Sequence, residues 1–263
     1  GMASVPLPAA LGRERIQPWA GAVEVAAING PSATVISGPV DALDLLIGQL
    51  QGDGVQARRI AVEYASHCAD VSVLREPILD VLASISPRRS RIPFYSSVTG
   101  GVLDGTALDA DYWYRNLRRT VRFEQATRSL AADGYRLFVE SCSHPVLTVA
   151  LQETLDAAGV AGRAVGTIRR DRAGLRQFTT ALAEAQVHGL HVEWNRVSWA
   201  RHDDRQQWVD LPTYAFQHRR YWLESPVPQG DFASTGMESG GHPVLAASVE
   251  LRERRGAVVT GLL

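Results

Sequence analysis

The chain has 263 residues, enough for one large core or two modest ones, with 45% hydrophobic and 21% charged residues, the balance of an ordinary globular protein. A net charge of -1 gives no global electrostatic case for nucleic acid or for a membrane surface. No apolar run approaches a membrane span, the first residues lack the parts of a secretion signal, and the two cysteines, Cys68 and Cys142, are too few for a disulfide framework, so a reducing cytoplasm is the expected compartment.

Met2 to Pro6 reads as a strand and Ala9 to Trp19 as a short helix. Val23 to Ile28 alternates as a strand should, and Asn29-Gly30-Pro31-Ser32 is a strong turn signal before the strand Ala33 to Ser37. Ala42, Leu45, Leu46 and Leu50 fall at helical spacing, with Gly52 and Gly54 ending the helix. Val55 to Val62 is the last strand of this stretch. The order β-α-β-β-α-β predicts a ferredoxin-like small lobe over residues 1–62.

From Cys68 onward strands alternate with helices. Val71, Leu74, Ile78, Val81 and Leu82 share one helical face that stops before Pro87, and Ile92 to Val98 reads as a buried strand closed by Gly100-Gly101. Tyr112 to Leu117 and Phe123 to Ala131 read as helices. Leu137-Phe138-Val139 is a short strand leading through Ser141-Cys142-Ser143-His144-Pro145 into a helix, Val146 to Leu155. Ala164 to Ile168 is another strand, and Leu175, Phe178, Leu182 and Ala185 line a helix that Gly189 terminates. This alternation predicts a largely parallel α/β core over residues 63–200. Beyond it, Leu211 to Trp222 is dense in aromatics and arginine without a period, a segment whose order requires its rings to pack on a neighbouring surface. Residues 226–241 are rich in Gly, Ser and Pro and read as a flexible linker, and His242-Pro243-Val244-Leu245 opens a new strand-like run.

The stretch Val62-Glu63-Tyr64-Ala65-Ser66-His67-Cys68 carries the chemistry. Ala61-Val62 is β-like and a helix is expected after Cys68, which puts His67 at a strand-to-helix corner. An imidazole there is a natural general base, because its intrinsic pKa lies near working pH. The positive end of the helix after it would disfavour imidazolium and keep it neutral. An activated serine normally sits in a G-x-S-x-G elbow, and no such elbow occurs in the sequence. Its nearest approach, Gly30-Pro31-Ser32-Ala33-Thr34, reads better as a hairpin turn. Two readings of His67 stand side by side: a core histidine, or a base whose nucleophile belongs to a larger protein. His188 and His191 share no third ligand, so no metal site is expected. Cys68 and Cys142 read as packing residues, and His144 as the start of a helix.

Tyr64-Ala65-Ser66-His67 resembles the signature of acyltransferase domains in modular type I polyketide synthases. Further segments match in the same order: Ala26-Ala27-Ile28-Asn29-Gly30-Pro31, Tyr95-Ser96-Ser97-Val98-Thr99-Gly100, and Trp113-Tyr114-Arg115-Asn116-Leu117-Arg118-Arg119 with Val121-Arg122-Phe123. Leu211 to Trp222 looks like the linker that comes after such a domain, and His242-Pro243-Val244-Leu245 like the opening of a dehydratase. The resemblance implies an α/β fold: a ferredoxin-like lobe over 1–62, the C-terminal part of a hydrolase-like parallel core over 63–200, a linker over 201–241, and the start of a β-rich hot-dog domain over 242–263. It also implies that the serine nucleophile, the oxyanion-hole donors and the carboxylate-gripping arginine lie upstream of Gly1, so that this is a fragment unable to turn over alone.

The implied activity is a ping-pong transfer of an extender acyl group from coenzyme A to a serine, then to the phosphopantetheine thiol of an acyl carrier protein, with His67 as base. The backbone carbonyl of Asn116 is the implied partner of the imidazole; a surface or helix-capping amide is the plain alternative. Tyr64, Ala65 and Ser66 are the implied selectivity residues. Relatives selective for malonyl place a bulky phenylalanine before the histidine, so Ser66 favours methylmalonyl-CoA over malonyl-CoA, unless its role is only to cap the next helix. No cofactor is expected to be bound in this segment. The implied partners are the carrier protein and the neighbouring ketosynthase and dehydratase of the same polypeptide. Arg115, Arg118, Arg119 and Arg122 would meet an acidic carrier protein or acyl-CoA phosphates, or form a solvated helix face. The alternatives are a stand-alone malonyl-CoA:carrier-protein transacylase of fatty acid synthesis, which has no use for the linker, and a non-catalytic scaffold.

Overall fold

A computed structural model describes residues 1–172, 174–197, 210–219, 236–240, 244–251 and 256–261. The chain divides into two units, residues 1–203 and 204–263.

The first unit begins with β1 (Met2–Val5), α1 (Ala9–Arg15), β2 (Glu24–Gly30), β3 (Ala33–Ser37), α2 (Val40–Gly52) and β4 (Arg58–Arg59). The strands assemble in the order β4-β1-β3-β2, and every pair among these four is antiparallel. The turn signal at Asn29–Ser32 closes the β2–β3 hairpin, with Gly30 opposite Ala33. Gly30 has a second duty: a Cβ there would lie 2.9 Å from the carbonyl oxygen of Ala150, on a helix of the next lobe. α2 buries Leu43, Leu46, Ile47 and Leu50 against Ala3, Val5, Val23 and Ile36. That is the i, i+3, i+4, i+7 stripe of an amphipathic helix. It lies one position away from part of the expected face, since Leu45 is exposed. The opposite face of the sheet is also covered, by a cluster around Ala26, Ala27 and Val35 that includes Met2, Ile60 and Val121.

The expected strand Val55–Val62 shrinks to Arg58–Arg59 plus one further bond, from the Ile60 N–H to the Met2 carbonyl. As an edge strand it has one neighbour only, so a short pairing suffices.

After the loop that carries His67 come a 3-10 turn (Ala69–Leu74) and α3 (Arg75–Val81). The apolar spacing predicts a single helix here. Pro77 explains the break: a proline in a continuous helix would collide with the carbonyl of Val73 and lack its own N–H, whereas it is tolerated in the first turn of a new one. Of the apolar face drawn from the periodicity, Val71 is buried, Ile78 and Leu82 are half-buried, and Leu74 and Val81 are exposed, as is Val73 beside it.

β5 (Phe94–Ser96) and β6 (Gly101–Leu103) form an antiparallel hairpin, which replaces the single buried strand expected over Ile92–Val98. Gly100, at φ +80°, reverses the chain directly after β5, and Ile92 stays exposed. Next come α4 (Ala110–Arg118), β7 (Val121–Arg122), α5 (Phe123–Ala132), β8 (Leu137–Glu140), α6 (Thr148–Ala157), β9 (Arg163–Gly166) and α7 (Leu175–Val187). Asp109 caps α4 by accepting from the Tyr112 N–H at 2.8 Å. The buried Tyr112 hydroxyl meets Ser96 Oγ at 2.8 Å. β8 and β9 run parallel and pack with α5 and α6 around Leu151 and Leu155. β7 joins the first sheet as a fifth strand, parallel to β2. Between the strands of the described residues, parallel pairing is confined to β8–β9 and β2–β7, well short of the largely parallel core expected.

The second unit contains β10 (Glu238–Ser239), β11 (Leu245–Glu250) and β12 (Ala257–Gly261), an antiparallel sheet in sequence order. Upstream of it, the rings of Tyr214 and Phe216 meet edge to face at 5.5 Å. Trp222, His242, Pro243 and most of the expected linker lie outside the described residues.

Candidate active site

His67 sits in an irregular loop, not at the end of a strand: Ala61 and Val62 pair with no neighbour as a ladder. Its φ is +60°, and it is the one non-glycine residue with positive φ among those described. Histidine enters the left-handed region more readily than most residues, yet the conformation still costs about 1–3 kcal/mol and persists only where the surroundings impose it. The last turn of α4 does so. The His67 N–H donates to the Leu117 carbonyl at 2.9 Å, and the ring Nδ1 lies 2.9 Å from the Arg119 carbonyl. A carbonyl can only accept, so Nδ1 carries the proton and Nε2 is left with the lone pair.

Burial holds the His67 pKa below its ordinary 6.5, while hydrogen bonds to the backbone of Arg119 and Asn116 pull the other way. The neutral imidazole is therefore the resident form at pH 7. Arg119 supplies the carbonyl 2.9 Å from Nδ1, and the backbone of Asn116, the implied partner, bonds the ring as well. One expectation is corrected here. The ring is kept neutral by burial. Directly after it comes a short 3-10 turn with Cys68 as its N-cap, in place of the helix whose dipole was expected to act.

The three residues before His67 diverge. Tyr64 is exposed, Ala65 is half-buried, and Ser66 is buried at 7%. Ser66 turns toward the small sheet and donates to Met2 Sδ at 3.4 Å. It caps nothing: the 3-10 turn has no side-chain cap. Cys68 is buried, as a packing residue should be.

The arginines resolve into separate tasks. Arg118 forks onto Glu24, Nη1 to Oε2 at 3.0 Å and Nη2 to Oε1 at 3.3 Å, and Arg115 pairs with Asp111 one turn earlier on α4. Arg119 and Arg122 remain exposed. The expectation of four arginines turned outward together is thus met by two. Glu24 escaped the sequence reading, and so did Glu140. The Glu140 carboxylate accepts from the backbone N–H groups of Val146, Leu147 and Thr148 at 2.9–3.0 Å. It holds the start of α6, which begins at Thr148, so His144 lies in the loop before the helix. Burial, with Glu140 beside it, pushes the Cys142 thiol up, away from nucleophilic use. Among the described residues no group of His, Cys, Asp and Glu has the makings of a metal site.

A half-buried neutral histidine in a strained loop, its proton fixed on Nδ1, leaves Nε2 chemically able to accept a proton. The family description "Acyl transferase domain" matches residues 1–192. This chain belongs to the acyl transferase domain family. Within that family it is similar to segments of modular polyketide synthases. It is 48% identical over 268 aligned residues to polyketide synthase GfsB of Streptomyces halstedii, covering 100% of this chain and 5% of that protein. It is 43% identical over 267 residues to the pikromycin polyketide synthase component PikAII of Streptomyces venezuelae, covering 100% of this chain and 7% of that one. The solved acyltransferase domain from module 8 of the salinomycin polyketide synthase superposes with a TM-score of 0.72 at 51% identity, over 74% of this chain and 46% of the other. The chain thus spans a small fraction of its curated relatives and about half of the solved domain. No helix among the described residues of this acyl transferase family member is long and apolar enough to cross a membrane.

Proposed function

We propose that this chain is the C-terminal part of a polyketide synthase acyltransferase, and that His67 is the general base of its Ser-His pair. The observation that carries the proposal is the Nδ1 contact to the Arg119 carbonyl, which leaves Nε2 as the acceptor. The serine would be contributed by residues outside these 263. Two things support that part of the reading: this chain aligns with 46% of the solved salinomycin domain, and an apolar surface at Val73, Leu74, Val81 and Ile92 is of the kind that another segment covers. The small lobe's strand order, 4-1-3-2 with antiparallel neighbours, supports its ferredoxin-like description.

In the proposed reaction Nε2 takes the serine Oγ–H proton as the oxygen attacks the acyl-CoA thioester carbonyl. Collapse of the tetrahedral intermediate breaks the C–S bond, and His67 returns the proton to the departing thiolate. The second half runs in reverse with the phosphopantetheine thiol of an acyl carrier protein, which gives its proton to Nε2 and takes the acyl group. Acyl-CoA is a substrate here, the cellular setting is the cytoplasm, and the neighbouring ketosynthase and dehydratase are covalent partners. Residues 242–263 would open the dehydratase. Selection of methylmalonyl is read from Ser66, small, buried and tucked against Met2, where a phenylalanine would have to displace its surroundings.

The test uses the intact synthase polypeptide, offered malonyl-CoA and methylmalonyl-CoA in competition, with carrier loading read by mass. Methylmalonyl is expected to win, and Ser66→Phe to move the ratio toward malonyl by roughly tenfold or more. His67→Ala is expected to abolish loading with the circular dichroism unchanged. Unchanged loading in His67→Ala would sink the base assignment, and a wild-type preference for malonyl would sink the extender assignment alone.

A further inference from the structure

The loop that presents His67 is gripped from two sides, and only one of them is α4. On the other side Glu24, at the start of β2, accepts from the Ala69 N–H at 2.7 Å through Oε1. The same carboxylate binds Arg118, which lies between the two residues whose carbonyls hold His67, Leu117 and Arg119. The contacts close a ring: Glu24 to Ala69, along the chain to His67, across to α4, and back through the Arg118 guanidinium to Glu24. The Arg118–Glu24 pair is about a quarter to a third exposed, and one step along, Thr120 Oγ1 donates to the Val25 carbonyl at 2.8 Å, which fixes the register between β2 and the end of α4.

We propose that Glu24 is a positioning residue for the His67 base, setting the loop and the C-terminal turn of α4 at the separation that keeps His67 at positive φ with its Nδ1 on Arg119. This rests on the role proposed for His67. Without Glu24 the Ala69 N–H loses its acceptor and Arg118 loses the anchor that draws α4 against β2. The loop is then free to relax out of its strained conformation, and Nε2 leaves its place opposite the nucleophile. The effect is expected on the chemical step, because the Glu24 carboxylate is engaged by Ala69 and Arg118.

The experiment measures kcat and KM for carrier loading by the intact synthase polypeptide carrying Glu24→Ala, Glu24→Gln or His67→Ala. Glu24→Ala is expected to lower kcat roughly 10- to 100-fold with KM within about twofold, since small misplacement of a reacting group carries losses of that order. Glu24→Gln keeps a neutral acceptor for Ala69 and a partner for Arg118, and should recover most of the loss, remaining within about tenfold of wild type. If Glu24→Ala fails to fold, Glu24→Gln decides alone: a kcat at least threefold down with KM unmoved supports the assignment. A kcat in Glu24→Ala less than threefold below wild type overturns it, as does a loss carried by KM; where only Glu24→Gln folds, a kcat less than threefold down overturns it. Should His67→Ala load normally, the base assignment fails instead, a result distinct from an inert Glu24 beside an essential His67.

Discussion

Residues 1–59 and residues 69–92 are both amphipathic on paper, and they end differently. In the first, Leu43, Leu46, Ile47 and Leu50 find a sheet to cover, and the result is a core with Leu43, Leu46, Leu50 and Ile36 at 0–1% exposure. In the second, Val71 alone is buried, while Val73 and Val81 stand at 79% and Ile92 at 80%. Hydrophobic periodicity states which side chains seek cover; burial also requires a surface to meet. The small lobe brings its own in the form of β1, β2 and β3.

The difference is measurable. Leu46→Ala should destabilise the small lobe by about 2–5 kcal/mol, seen as a lower urea midpoint with an unchanged slope, because the lost transfer energy adds to an unfilled cavity. Acid should act more mildly, through His67. Its folded pKa lies below 6.5 and its unfolded pKa at 6.5, so between the two the unfolded chain binds more protons. The stabilising contribution is complete above pH 6.5 and is lost as pH falls through the folded value. A series of urea midpoints from pH 7.5 to 5 should therefore drop more steeply in the wild type than in His67→Gln; parallel curves would refute the buried neutral imidazole. Smallest of all, Val81→Ser should change the stability of this chain by no more than about 0.5 kcal/mol, while reducing any self-association read by light scattering. A loss comparable to that of Leu46→Ala would mean that the two regions do not differ in cover.

Legibility in the sequence tracked the range of the determining contact. The β2–β3 hairpin was visible because Asn29-Gly30-Pro31-Ser32 encodes its own turn, and α2 because Gly52 and Gly54 stop a clear stripe. The break before α3 and the reversal after β5 were equally local, written in Pro77 and Gly100, but were overridden by the apolar runs around them. His67 stood out through its neighbours Tyr64, Ala65 and Ser66. What holds it did not. The acceptors on α4 are carbonyls, which no side chain advertises, and Glu24 acts on residues 45 and 94 positions away. A lone glutamate at a strand start looks like any solvated charge. Glu140 is the same case at shorter range, a strand-end carboxylate whose three amide donors appear only once β8 has been laid beside the start of α6.

The pairing of β7 with β2 carries a consequence for access. A ladder of main-chain bonds runs straight across the seam between the small lobe and the rest of the first unit, reinforced by Thr120 on Val25 and Arg118 on Glu24. Parting the halves like a clamshell would tear a continuous sheet, so this edge behaves as a weld and not as a hinge. Any motion that widens access to the imidazole therefore comes from elements other than this pairing.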